Sequence, residues 1–245
     1  MDTRILVKEI RESGEMKGKI VQQLPDAIHW QEHKHDNYVP IVSVKSAITY
    51  DGKGPHIVLI DYGYKRSLLR YLQSFDCKVT VVPYDISPEE VKELNPDGVL
   101  FSNGPGNPEA LQAQLPYIKQ ISSTYPSFGI CLGHQLLALA YGAPTNKLTF
   151  GHRGVNHPVK HLSTGKVYMT SQNHGYEVKL ESINHTPFQP IYINVNDGSL
   201  EGMKHHTLPI FSVQFHPEAH AEPLDTSHMF AQFIQEVGEC AYATT

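Results

Sequence analysis

Residues 56–83 read HIVLIDYGYKRSLLRYLQSFDCKVTVVP, and this stretch decides the fold. It opens on an apolar run of strand length, "HIVLID", crosses the amphipathic "KRSLLRYLQSF", and closes on a second apolar run within "CKVTVVPY". The same alternation continues outward through "SPEEVKELN", "GVLFSNGPG", the long "PEALQAQLPYIKQISSTY", the strand "SFGI" and the helix "LGHQLLALAYG". Continuous apolar strands separated by helices belong to a parallel sheet covered on both faces. Right-handed crossovers then wind that sheet doubly. The sequence predicts an α/β fold with a doubly wound, mostly parallel sheet flanked by helices.

Either side of this core the pattern changes. "KVYMTSQNHGYEVKL", "PIYINVNDGSLEGMKH" and "LPIFSVQFHPEA" follow one another without helices, and "NDGS" marks a turn. A small antiparallel extension is expected there, before the closing helix "DTSHMFAQFIQEVG". At the other end, Asp2 as N-cap, Ile5, Leu6 and Ile10 on one side, and Gly14 as stop predict a first helix. Residues 24–56, rich in polar residues, Pro and His, read as a linker holding one strand within "YVPIVSVKSAITY".

Composition excludes several classes. The 245 residues are 40% hydrophobic with a net charge of −5, so there is core enough for a globular domain and no basic footprint for nucleic acid. No apolar run approaches the roughly 20 residues of a membrane span. The charged N-terminus lacks a signal core, and three cysteines without CxxC spacing fit a reducing cytosol. The fifteen histidines include the pairs His33/His35 and His205/His206, but neither lies at ligand spacing to a Cys or acidic cluster, and HExxH is absent. No metal site is expected, and most histidines read as surface residues.

In an open α/β sheet, ligands bind beyond the carboxyl ends of the strands, and the chemically suggestive residues fall there. "GICLG" sets Cys131 between Gly129 and Gly133 on a sharp strand-to-helix turn. Small neighbours permit such an elbow, and the positive end of the following helix stabilises a thiolate. A core-filling cysteine is the competing reading. "FHPE" places Glu218 two residues after His216, on the same side of an extended segment, where the carboxylate can orient the ring and stabilise an imidazolium. "SNGPGNP" lacks the spacing of a P-loop or a dinucleotide fingerprint; its N–H groups, with that of Leu132, suit an oxyanion hole.

Together, "SNGPGNP", "GICLGHQLLA" and "QFHPEA" resemble the motifs of class I glutamine amidotransferases of the Cys-His-Glu triad type, in that family's order and separations. "DYGYKRSLLRYL", the loop "FGHRGVNHPV" and "TSQNHGYEV" are similar to the glutaminase (small) subunits of carbamoyl phosphate synthetases. Amidotransferase domains serving GMP, anthranilate or aminodeoxychorismate synthesis do not carry this combination. The resemblance extends from residue 1 to about 237. It implies a flavodoxin-like amidotransferase domain over 55–240, preceded over 1–54 by a remnant of an N-terminal small-subunit domain with its linker, and followed by a tail over 241–245. The chain begins near the end of that N-terminal domain, which would supply a serine contact to glutamine and much of the contact with a synthetase.

The resemblance further implies the chemistry. Cys131 attacks the amide of glutamine, N–H groups of Gly106 and Leu132 hold the oxyanion, His216 protonates the departing ammonia and then activates water, and Glu218 orients His216. Gly104, Gly106, Leu132, Gln135, Asn173, Gly175 and Tyr176 bind L-glutamine. No cofactor is expected in this chain; ATP and Mg belong to a large synthetase subunit that receives the ammonia. The alternatives are the amidotransferase subunit of another glutamine-dependent synthase, a hydrolase of γ-glutamyl peptides, and a catalytically silent docking subunit.

Overall fold

Strand β2 (His56–Asp61) shows how the core is built. Val58 and Ile60 point into one apolar cluster and Ile57 and Leu59 into another, the two-residue period of a strand buried on both faces. The computed structural model describes residues 2–14, 19, 21, 37–219 and 225–243 of the chain. Among them, β2 sits between β3 (Lys78–Pro83) and β4 (Gly98–Phe101), followed outward by β5 (Ser127–Ile130) and β10 (Ile210–Val213), all five parallel. The order β3-β2-β4-β5-β10 is the flavodoxin-like winding, with a reversal of direction beside β2.

Helices cover both faces. Leu68, Leu69 and Leu72 of α3 (Arg66–Ser74) bury against one side together with Met229, Phe230, Phe233 and Val237 of α7 (His228–Ala243). Val91 of α4 (Pro88–Leu94), Ile118 and Ile121 of α5 (Leu115–Thr124), and Leu136 and Leu137 of α6 (Leu132–Ala140) cover the other. At about 25 cal/mol per Å² of apolar area removed from water, such two-sided burial is the main favourable contribution to the fold. The stretch 108–125 is not one helix: a 3₁₀ segment, Pro108–Gln114, precedes α5, with Leu111 out of helical geometry. Pro116 lacks the N–H that would continue an α-helix back to Gln112.

The antiparallel part, among the described residues, holds four strands, β6 (Thr145–His161), β7 (Val167–Val178), β8 (Phe188–Asn194) and β9 (Leu200–His205), in the order β10-β9-β8-β6-β7. "FGHRGVNHPV", expected as a loop, is strand: it lies inside β6, whose pairing with β7 breaks register between Lys147 and His152 and again between Gly154 and His157. Those bulges explain why the segment lacks a clean alternating pattern. The first helix, α1 (Thr3–Ser13), forms with the Asp2 carboxylate accepting from Arg4 N–H and Gly14 as C-cap. "YVPIVSVKSAITY" yields a helical turn, α2 (Val39–Val42), and a strand, β1 (Ile48–Tyr50), antiparallel to β3. The first part of the expected linker, residues 24–36 with His33 and His35, lies outside the described residues. No described helix is long and apolar enough to cross a membrane.

Candidate active site

The carboxyl ends of β4, β5 and β10 open onto one cleft of about 1070 Å³. Cys131 follows β5 directly, with φ 53° and ψ −102°, a conformation that costs an L-residue on the order of 1–3 kcal/mol. The turn exists because its neighbours lack side chains. A Cβ on Gly133 would fall 2.2 Å from the Phe101 carbonyl oxygen, and one on Gly129 would fall 2.6 Å from Leu137 Cδ1. Anchored by its N–H to the Val213 carbonyl (2.9 Å), Cys131 is buried, yet it lines the cleft. Leu132 is the first residue of α6, so its N–H has no intrahelical acceptor. Its side chain packs into the core instead of lining the cleft.

Beyond β10, the chain is tied to β7 by the His216 N–H, which donates to the Ser171 carbonyl at 2.9 Å. His216 then donates from Nδ1 to Glu218 Oε1 at 2.7 Å, while its Nε2 is buried without a hydrogen-bond partner among the described residues. Burial pushes the imidazole toward neutrality, but the charges of Cys131 and Glu218 outweigh it and carry the His216 pKa up to about 10. For Glu218, fully buried, desolvation works upward and His216 and Lys65 work downward; the carboxyl ends below its ordinary value. Lys65 Nζ stands 3.6 Å from Glu218 Oε1. Asp61 delivers this lysine: its Oδ1 accepts from the N–H groups of Gly63 and Tyr64 at 2.8 and 2.9 Å, fixing the turn before α3.

The remaining expected residues divide as follows. Gly104, Gly106, Gln135, Asn173, Gly175 and Tyr176 line the same cleft as Cys131 and His216, whereas Glu218 lies behind His216 and does not. Gly104 packs so closely that a Cβ would sit 2.3 Å from the Tyr62 carbonyl oxygen. Gln135 spends both amide hydrogens on Tyr176 O (2.8 Å) and Gln214 Oε1 (2.9 Å), tying α6 to β7 at the cleft wall.

Sequence reasoning missed Lys65 and His174 as site residues; Lys65 was visible only as part of "YKRS", and His174 only through its neighbours in "QNHG". Most histidines read as surface residues; besides the expected site residue His216, the buried exceptions among the described residues are His134, His174 and His205. Ring packing and hydrogen bonds, such as His134 Nδ1 to Ser212 Oγ at 2.8 Å, place them there.

A sulfur on a strained elbow, an imidazole and a buried carboxylate at the edge of a parallel sheet define an α/β protein with a cysteine-nucleophile type of site. The sequence model of the class-I glutamine amidotransferases matches residues 58–236. The arginine-specific carbamoyl phosphate synthase small chain of Halalkalibacterium halodurans is 54% identical over 97% of this chain and 67% of its own. The corresponding arginine-specific chain of Geobacillus stearothermophilus is 50% identical over 99% and 69%. The pyrimidine-specific small chain of Bacillus subtilis is 48% identical over 97% and 66%. A crystal structure assigned to a GMP synthase component from Thermoplasma acidophilum shares the fold, with a TM-score of 0.68 at 24% identity, over 78% of this chain and 98% of that one. The chain belongs to the class-I glutamine amidotransferase family and, within it, to the carbamoyl phosphate synthase small chains. It spans about two thirds of the length of those relatives.

Proposed function

We propose that this chain hydrolyses L-glutamine in the cleft and passes the ammonia to a large synthetase subunit for carbamoyl phosphate synthesis. The reading rests on one observation above others: His216, locked to Glu218 at 2.7 Å, shares a cleft with Cys131 on its elbow. The Cys131 thiolate attacks the side-chain amide carbon of glutamine. N–H groups of Gly106 and Leu132 receive the developing oxyanion. The tetrahedral adduct collapses by breaking the C–N bond as the His216 imidazolium gives its proton to the leaving nitrogen, so ammonia departs and a γ-glutamyl thioester remains. Neutral His216 then takes a proton from water, whose oxygen adds to the thioester and releases glutamate and the thiolate. Glu218 keeps the ring's other nitrogen occupied throughout. Gly104, Gln135, Asn173, Gly175 and Tyr176 position the substrate.

ATP and Mg act on the large subunit, where ammonia is consumed, and a reducing cytoplasm keeps the Cys131 thiol available. The amidotransferase unit occupies 55–240 on this reading. The test is a Cys131→Ser variant assayed with and without the large subunit. Glutamine hydrolysis and the thioester, read by mass spectrometry, are expected to vanish, while synthesis from free ammonia in the complex persists. A variant that still turned over glutamine would remove Cys131 from the mechanism. A wild-type chain giving neither thioester nor ammonia, even in the complex, would point to a docking subunit.

A further inference from the structure

We propose that His152, His174 and Glu201, on three strands of the antiparallel half, form a binding site for a divalent cation of the zinc type, distinct from the cleft thiol. His152 and His174 are directly opposed across β6 and β7, with ring centroids 4.8 Å apart, and β9 brings Glu201 to them. One ligand atom from each of the three lies within 4.8 Å of the other two.

The hydrogen bonds around the cluster already have the form that a metal's outer shell takes. His152 donates from Nε2 to Asp197 Oδ2 at 2.7 Å, and its Nδ1, buried and without a hydrogen-bond partner among the described residues, lies 3.5 Å from Glu201 Oε1. His174 donates from Nδ1 to the Tyr176 carbonyl at 2.8 Å, leaving Nε2 toward the cluster. Carboxylate and carbonyl acceptors behind each ring fix its tautomer and aim its free nitrogen inward, as they do behind metal-bound histidines.

Two contacts remain unexplained without an ion. His174 Nε2 faces Gln172 Oε1 at 2.7 Å. The Gln172 amide cannot be turned to offer a hydrogen, because its nitrogen donates to Glu201 Oε1 (2.9 Å) and Thr170 Oγ1 (3.1 Å). A neutral imidazole carries one N–H, so with Nδ1 donating, two lone pairs meet. Glu201, fully buried, has Oε1 satisfied by Gln172 and Asn194, but its Oε2 is without a partner among the described residues. His152 Nδ1 has the Glu201 carboxylate as an ion-pair partner at 3.5 Å, but a cation among these atoms answers the orphaned Oε2 and the facing lone pairs together.

Two imidazoles and one carboxylate, with no thiolate and few oxygens, suit zinc with an open coordination position better than calcium or magnesium, which prefer oxygen donors. A side cleft of about 390 Å³, lined by Phe150, Gly151, His152, Asn194 and Asp197 among others, gives an ion a way in. Bound there, it would staple β6 and β7 to β9 immediately beside Asn173 and Gly175, at the wall of the larger cleft.

The test uses the whole chain carrying Cys131→Ser, stripped with a chelator, so that the cleft thiol cannot act as ligand. Titrated with Co²⁺, it is expected to bind one equivalent with visible d–d absorption, displaced by Zn²⁺. Adding Glu201→Gln or His152→Ala should weaken binding at least ten-fold. Asp197→Asn, a change at a partly exposed side chain that spares the fold, should weaken it roughly ten- to a hundred-fold. Zn²⁺ should raise the melting temperature of the Cys131→Ser chain and not that of the Glu201→Gln double variant. Absence of a bound equivalent would mean that His152 and Glu201 form a plain ion pair and would overturn the proposal. Binding by the Glu201→Gln and Asp197→Asn proteins as tight as that of the Cys131→Ser chain would overturn it as well.

Discussion

Two imidazole–carboxylate clusters stand within one sheet, and they are built in opposite ways. In the parallel half, His216 and Glu218 are two residues apart on a segment just beyond a strand, and Cys131 sits just beyond the neighbouring strand. In the antiparallel half, His152, His174 and Glu201 lie within strands: the β6–β7 register opposes the two histidines, and Glu201 comes from β9, beyond the intervening β8. The first cluster is exposed to ligands by topology, because parallel strands end together at one edge. The second opens to a side cleft at His152, and its His174 stands on the wall of the larger cleft. The reacting groups Cys131 and His216 occupy positions just past strands, whereas the residues of the second cluster occupy positions within them.

The largest expected effect on this contrast comes from Glu218→Gln. The amide keeps the shape but removes the charge that holds the His216 ring and its proton. Turnover of glutamine should fall by roughly 10²–10⁴. The sign of the pH effect follows from the shift. A histidine whose pKa is raised by folding, here to about 10, contributes stability that is complete below its unfolded value of about 6.5 and is lost as pH rises through about 10. Without the Glu218 charge, that loss should move to lower pH. NMR titration of the His216 ring and urea melts on both sides of neutrality read it directly. An unchanged titration in the variant would make Glu218 a spectator.

Next in size is the strain at the elbow. If the Cys131 backbone is held against its preference, Cys131→Gly should be more stable than Cys131→Ala by about 1 kcal/mol, since both lack the thiol and only alanine keeps a Cβ at φ 53°. Urea denaturation of the pair measures it. Equal stability would show that the turn is relaxed, and the Cys131 environment would then be no more demanding than a ladder position in the antiparallel half.

The same contrast decides what the sequence could reveal. The parallel core is legible because "HIVLID", "GVLF" and "SFGI" carry their period and their stops within a few residues, and the helices between them show one apolar face. Cys131, His216 and Glu218 are legible because glycines and a proline mark their turns. Lys65 is not, since nothing in "YKRS" says that the Asp61 turn will aim it at a carboxylate more than a hundred residues away. Nor is the His152 cluster, because bulges in β6 erase the alternation that would assign its faces, and ligand spacing rules see only neighbours in sequence. The break of 108–125 into two segments was written in Pro116, whose missing N–H outweighs helical periodicity.

The smallest effect belongs to Lys65, and it tests how far the first cluster extends. Its ammonium is 3.6 Å from Glu218 Oε1, but its side chain is 46% exposed, so water and salt screen the pair. An ion pair of that kind contributes about 0.2–1 kcal/mol. Lys65→Met should therefore lower glutamine turnover only about two- to five-fold at low ionic strength, and the difference should shrink as salt is added. Kinetics of both proteins across a salt series would check this. A loss as large as that of Glu218→Gln, indifferent to salt, would mean that Lys65 touches the reacting groups themselves. The boundary of the cleft machinery would then have to be drawn through α3 as well as through the ends of β5 and β10.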